Sequence, residues 1–233
     1  MDYVEVDDYH EGKKCKFYTI EHCYISNIIR TNCVWEKHLH SIFEKYINNE
    51  SIVIEGGCHI GTHTLKLSYL AKHVYAFEPL IDSNNVLNKN LQLNERNNVT
   101  LSSDGLSDKI SKTFFQWTSS NNPGASGLAN NPMGFPVNCR IITDEEPVNL
   151  TTIDSLNLEK LDFIKLDVEG YETLAIFGGM NTIVKCRPVI TLESWSSHNG
   201  TVDIEYTKNN FKPLIDIGYK IMHISGPDFL FLP

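Results

Sequence analysis

From residue 51 the chain alternates short apolar runs with longer stretches of helical periodicity. Residues 51–55 (SIVIE) read as a buried strand, followed by a glycine-rich turn and a helix over 61–71. Residues 73–77 (HVYAF) read as the next strand, stopped by Glu78-Pro79, then a polar helix over 82–96 and a strand near 98–102. Further strands are predicted at 161–167 and 188–193, with a helix over 171–180 between them. Strands separated by helices of ten or more residues imply a parallel sheet with right-handed crossovers. The tail breaks this rhythm. Residues 218–224 and 229–232 are two strand-like runs joined by Ser-Gly-Pro-Asp, and so short a connection joins only antiparallel strands.

Two segments lie outside the alternation. Residues 1–50 read as an N-terminal extension with a short strand over 16–20 and a helix over 34–46, and residues 51–233 as the main domain. Within it, 118–149 is rich in Asn, Gly and Pro, which favours a loop, either a substrate-facing lid or a surface excursion.

Composition narrows the class. The 233 residues fit one α/β domain plus an extension, and 41% hydrophobic with 10% aromatic residues suffices for a core. A formal net charge of −9 with no basic stripe argues against nucleic-acid binding, which needs clustered Lys and Arg. The six cysteines are scattered, without a Cys-x-x-Cys pair, so neither a zinc knuckle nor a disulfide framework is indicated. The N-terminus is polar and acidic, and no apolar run approaches the ~20 residues of a membrane span. These features lead us to expect a reduced, cytoplasmic protein. No motif fixes an oligomeric state.

Chemistry enters at the strand ends. Glu55-Gly-Gly57-Cys-His59-Ile-Gly61 lies between the first strand and first helix, where glycines let the backbone approach a ligand and turn into the helix. Glu78 follows Gly57 by twenty-one residues, at the end of the next strand, and there an acid can accept hydrogen bonds from both ribose hydroxyls. A nucleoside-containing cofactor follows from the combination, with NAD and S-adenosylmethionine both open. Glu55 tips the balance: beside the turn it would repel a pyrophosphate but suit a cationic amino group, and the spacing is not G-x-G-x-x-G. At the end of the 161–167 strand, Lys165-Leu-Asp167-Val-Glu169-Gly170 alternates Lys165, Asp167 and Glu169 onto one face. In open α/β sheets ligands bind outside these carboxyl ends, although a structural ion pair would leave the same pattern. Glu193 ends the following strand, with His198 shortly after as a weaker candidate base.

Together these residues resemble the FkbM family of methyltransferases. The similarity is carried by VIEGGCHIGTHTL, YAFEP, NNPGASGL, LTTIDSL, DFIKLDVEGYETLAIFGG, RPVITLE and GYKIMHISGPDFLFLP. It implies the class I, Rossmann-like α/β fold, a seven-stranded mostly parallel sheet with an antiparallel C-terminal hairpin. It also implies S-adenosylmethionine as donor and O-methylation of a hydroxyl, often on a saccharide. Position by position, Glu55, Gly57, His59 and Gly61 would face the methionine end of the cofactor and Glu78 its ribose. Asp104 would face its adenine, and Asp167 and Glu169 the acceptor, with Glu193 beside them. The family usually has Asp at position 55 and Ala-Asn at 58–59; the longer Glu55 would shift the amine contact or route it through water, and His59 keeps a donor. Asp167 is the first candidate for catalytic base, Glu193 the second. A divalent metal bridging these carboxylates is compatible with their hard oxygens but is not expected. A nicotinamide-dependent oxidoreductase and a degenerate, non-catalytic domain are the competing readings.

Overall fold

The computed structural model describes residues 3–119, 122–130, 132, 139–141, 147–196 and 201–233. The N-terminal unit is a hairpin of β1 (Val4–His10) and β2 (Lys13–Phe17), followed by α1 (Tyr24–Arg30) and α2 (Lys37–Tyr46). Then come β3 (Ile52–Gly56), α3 (Thr62–Leu70), β4 (His73–Phe77), α4 (Ile81–Leu93) and β5 (Val99–Ser102). A group of strands intervenes: β6 (Gly105–Leu106), β7 (Ser111–Ser119), β8 (Asn122–Leu128), β9 (Cys139–Ile141) and β10 (Pro147–Thr151). The chain ends with β11 (Phe163–Leu166), α5 (Glu172–Phe177), α6 (Met180–Cys186), β12 (Val189–Glu193), α7 (Ile204–Asn210), α8 (Lys212–Asp216), β13 (Lys220–Ser225) and β14 (Asp228–Leu232).

The main sheet has seven strands in the order β13-β14-β12-β11-β3-β4-β5. The five strands from β12 to β5 pair in parallel, while β14 runs antiparallel to both β12 and β13. The expected sheet and its terminal hairpin are present. Alternation along β3 and β11 sends Val53 and Phe163 into one core and Ile54, Ile164 and Leu166 into the other. Because paired residues share a face, Glu55, Lys165 and Thr191 lie side by side on the face of Val53.

The N-terminal unit covers that face. From α2, Leu39 and Phe43, four residues apart, are buried in the same core as Val53 and Phe163. Burying such a side chain stabilises by about 1.5–3 kcal/mol. The hairpin is docked by asparagines of α4. The Asn94 side chain accepts from the Lys16 amide at 2.9 Å and donates to its carbonyl at 2.7 Å, and Asn90 does the same for Tyr18 at 2.6 and 3.1 Å. Two amides spaced i, i+4 thus imitate a neighbouring strand. Asn90 and Asn94 thereby hold the extension in place.

Residues 118–149 were expected to be a loop, and that expectation is corrected. The described part carries β8, β9 and the start of β10, which join β6 and β7 in a second, five-stranded sheet. Gly and Asn are poor strand formers by themselves, but here β7 supplies the ladder, pairing with β8, β9 and β10. Pairing overrides propensity. Among the described residues no helix is long and apolar enough to cross a membrane.

Candidate active site

Three clefts meet outside the carboxyl ends of β3, β4, β11 and β12. The first is lined by Gly57, Glu78, Leu80, Leu106, Asp167 and Glu169, among others. The second is a slot under the start of α2, lined by Glu36, Lys165, Asp167, Thr191, Glu193 and Asp228. The third, beside α7, is a groove lined by Glu193, Trp195, Tyr206 and Asn210. Asp167 belongs to the first and second, Glu193 to the second and third.

The first cleft is built by backbone constraint. Gly57 has φ +76°, and a Cβ there would stand 1.6 Å from the Asp167 carbonyl oxygen, so no other residue fits. Its amide donates to the Phe77 carbonyl at 3.0 Å, tying the turn to β4. Glu78 accepts the His59 amide on one oxygen at 2.7 Å and the Leu80 amide on the other at 2.8 Å. Burial nonetheless raises its carboxyl to about 7, against the opposing pull of the Leu80 and His59 amides. Each oxygen retains acceptor capacity after one hydrogen bond.

Other residues expected to hold the cofactor sit differently. Gly61 caps α3 with φ +91°, and a Cβ would meet the Leu87 side chain at 2.3 Å. It is glycine so that α3 can pack on α4, and it does not line the cleft. The His59 imidazole turns to the N-terminal unit, with Nε2 3.7 Å from Cys23 Sγ, and burial lowers it to about 4. Its backbone amide serves Glu78. Asp104 is half-buried beside the cleft, which is lined by its neighbours Gly105 and Leu106 instead. Glu55 is fully buried on the α2 face, beside Thr64 and Lys165. Burial raises its carboxyl despite the charge of Lys165 beside it. It reaches the site through that charge.

The residues expected to face an acceptor lie near one another at the ends of β11 and β12. Lys165 Nζ bonds Asp167 Oδ2 at 3.1 Å, and the Asp167 amide donates to the Gly56 carbonyl. Glu169 has φ +53° and lines the first cleft; burial and then Asp167 push its carboxyl well above the usual range. Glu193 accepts from the Trp195 indole at 3.1 Å and is raised by burial, then by Asp167 and Glu169. His198 lies outside the described residues.

Several site residues were not read from the sequence. Glu172 accepts the amides of Val168 and Gly170 at 2.8 and 3.0 Å, holding the loop that carries Glu169. Its presence in the Lys-x-Asp-Val-Glu-Gly-x-Glu run was the available signal. Asp228 stands opposite Glu193 in the β12–β14 ladder and bonds His38 Nε2 at 2.7 Å; Glu36 bonds His63 Nε2 at 2.9 Å. No local pattern announces these, because 36, 38 and 228 come from opposite ends of the chain. Among the described residues no group of three or more His, Cys, Asp or Glu is placed to hold a metal ion.

A methyltransferase from Methylobacillus flagellatus KT, of the FkbM type, has a similar structure at TM-score 0.54 and 16% identity, covering 79% of this chain and 44% of that one. This chain therefore spans less than half the length of that protein. A precorrin 8w decarboxylase from Methanobacterium thermoautotrophicum matches at TM-score 0.51 and 13% identity, over 97% of each chain. At such identities the likeness is one of fold. A search among curated proteins found no match. The model of the methyltransferase FkbM domain matches residues 55–221, from the glycine turn to the terminal hairpin, and the chain belongs to that family.

Proposed function

We propose that the chain transfers a methyl group from S-adenosylmethionine to a hydroxyl oxygen of a saccharide or similar small molecule. The observation that carries this reading is the position of Asp167, which lines both the Gly57–Glu78 cleft and the slot beside Glu193. One carboxylate stands where a cofactor and an acceptor would meet.

The first cleft suits the cofactor chemically. Glu78 offers acceptors to the ribose hydroxyls, and Leu80, Leu106 and Leu128 offer an apolar bed for adenine. Glu55, buried beside Lys165, places a carboxyl behind the turn that would face the cationic methionine end. When bound, S-adenosylmethionine supplies an electrophilic methyl group.

The protein's own work is positioning and proton handling. Trp195 and Tyr206 give the groove aromatic surface on which a sugar ring can rest, with Asn210 and Glu193 to bond its hydroxyls. Holding the acceptor oxygen at attack distance supplies the entropic part of the rate. Asp167 accepts the hydroxyl proton, and the Lys165 contact at 3.1 Å keeps it aimed until then. Glu169 and Glu193, both raised by burial and like charge, are oriented to bond neighbouring hydroxyls.

The test has two parts. Calorimetric titration with S-adenosylhomocysteine, with NADH as control, should give binding to the first alone; no binding to either favours the degenerate reading. Asp167→Asn should then lower methyl transfer by about 10²–10⁴-fold with cofactor affinity unchanged. Full turnover in that variant would remove Asp167 as base.

A further inference from the structure

We infer that Tyr171 is a positioning residue that latches the second sheet over the Gly57–Glu78 cleft, and that this sheet lifts to admit the cofactor. The inference rests on the donor reading above and adds how that site opens and closes.

The cleft takes its floor and its roof from different parts of the chain. The floor is Gly57, Glu78 and Asp167, at the strand ends of the main sheet. The roof is Phe115 of β7 with Ser126 and Leu128 of β8. Floor and roof nearly meet. About 40 Å³ is left between them, little more than a water needs, whereas pockets for drug-sized ligands enclose about 300–1,000 Å³. A nucleoside cofactor enters only if one of the two moves.

The floor is wedged, since Gly57 stands against the Asp167 carbonyl and its amide is tied to β4. The root of the second sheet is wedged as well. A Cβ at Gly178, after α5, would stand 2.0 Å from the Ser107 carbonyl oxygen beside β6, and the Ser107 amide donates to the Thr151 carbonyl of β10 at 2.9 Å. The part left to move is the far edge, β7 and β8, which meets the body at α1 and at Tyr171.

Tyr171 is 4% exposed and lines the cleft. Its hydroxyl donates to the carbonyl of Ala129, just past β8, and Thr113 of β7 approaches the same hydroxyl. The ring is buried with Leu128, Val148 and Leu150, and Phe115 packs against that group. One side chain therefore ties both strands of the roof to the loop between Glu169 and Glu172. Apolar contact is non-directional and tolerates sliding, whereas a hydrogen bond is made in one seated geometry. A bond of small net worth that forms only when the roof is down is what a catch requires. The same seat reaches the acceptor side. Gly170 and Glu172, on either side of Tyr171, line the groove that holds Trp195, and so does Pro132, shortly after Ala129. Lowering the roof thus covers the donor cleft and brings one wall to the acceptor groove in the same movement.

Tyr171→Phe removes the hydroxyl and keeps the ring. Association and dissociation of S-adenosylhomocysteine are followed by surface plasmon resonance on the full chain. Both rates should rise about 3–10-fold, the scale of one hydrogen bond, with the dissociation constant within about threefold of the parent. A tyrosine that only stabilises the fold would speed dissociation and leave association unchanged. A second readout needs no ligand. Leu128→Cys places a thiol on the roof at a position 6% exposed, and its maleimide labelling, mapped by mass spectrometry, should quicken about 3–10-fold when Tyr171→Phe is added. Cys15, fully buried in the N-terminal hairpin, should label equally slowly in both, which separates lifting of the roof from general loosening. Unchanged association, unchanged labelling at position 128, or equal acceleration at Cys15 overturns the latch. If the parent fails to bind S-adenosylhomocysteine while position 128 responds as expected, the donor reading falls and the moving roof stands.

Discussion

The two ends of the site satisfy their polar groups in opposite ways. In the cleft around Gly57, both oxygens of Glu78 are met by backbone amides, and the turn itself is wedged against the Asp167 carbonyl. Under α2 the Thr191 hydroxyl has no hydrogen-bond partner, and the Glu193 and Asp228 carboxyls face one another across a ladder. The first end is satisfied by its own backbone, while the second keeps like groups opposed. On the function proposed above, preorganisation of the Gly57–Glu78 cleft would fix the donor and the ends of β11 and β12 would hold the acceptor. Two substitutions and a pH titration test how separable those ends are.

Gly57→Ala should have the largest effect. Its φ of +76° and the 1.6 Å approach to Asp167 mean that β3 or the end of β11 must move to admit a methyl group. A strained residue of this kind costs about 1–3 kcal/mol before any clash is counted. Affinity for S-adenosylhomocysteine should fall at least ~100-fold by calorimetry, with a lower Tm, because the turn and Asp167 shift together. Retention of affinity within about threefold would show that the cofactor lies elsewhere.

That substitution also marks what the chain disclosed in advance. Gly57 and Glu78 sit on consecutive elements whose periodicity is local, so turn, strand end and spacing could be read directly. So could the terminal hairpin, since its turn and flanking runs are contiguous. Gly61 was recognised as necessary, but the reason is Leu87 on α4, a contact that no spacing reveals. The second sheet was missed because its glycines and asparagines are strand residues only once β7 pairs with them. The acceptor side was half-legible. Asp167, Glu169 and Glu193 lie at strand ends, whereas Glu36, His38 and Asp228 reach the slot only by tertiary packing from the two ends of the chain.

A pH titration sharpens the contrast with an intermediate effect. Burial raises Glu78 and Glu172 to about 7, from an ordinary 4.5. The folded chain therefore binds these protons more tightly than the unfolded chain. Their contribution to stability is complete below about pH 4.5 and is lost as pH rises to about 7, at no more than ~1.4 kcal/mol per pH unit for each group. Thermal melts without ligand should show stability declining across that window. Affinity for S-adenosylhomocysteine should move the other way, because ribose hydroxyls donate best to an ionised Glu78. It should climb towards a plateau above pH 7, by up to about tenfold per unit. Affinity that is flat from about pH 5.5 to 8 would remove Glu78 from the ribose.

The smallest expected effect is the most discriminating. Glu172 accepts the Val168 and Gly170 amides on its two oxygens, and between them Glu169 is held at φ +53°. Glu172→Gln keeps the shape but has a single acceptor oxygen, so one buried amide loses its partner, at a cost of about 1–3 kcal/mol. The loop should then relax around Glu169, whose backbone is held in the left-handed region. Gly57 and Glu78 are anchored by β4 and by other amides, and they should not follow. Single-turnover kinetics should therefore show methyl transfer slowed about 3–10-fold, with the dissociation constant of S-adenosylhomocysteine within twofold of the parent. A parallel loss of cofactor affinity would mean that the loop after β11 serves both reactants, and that the donor cleft owes its closure to Glu172 as much as to Gly57.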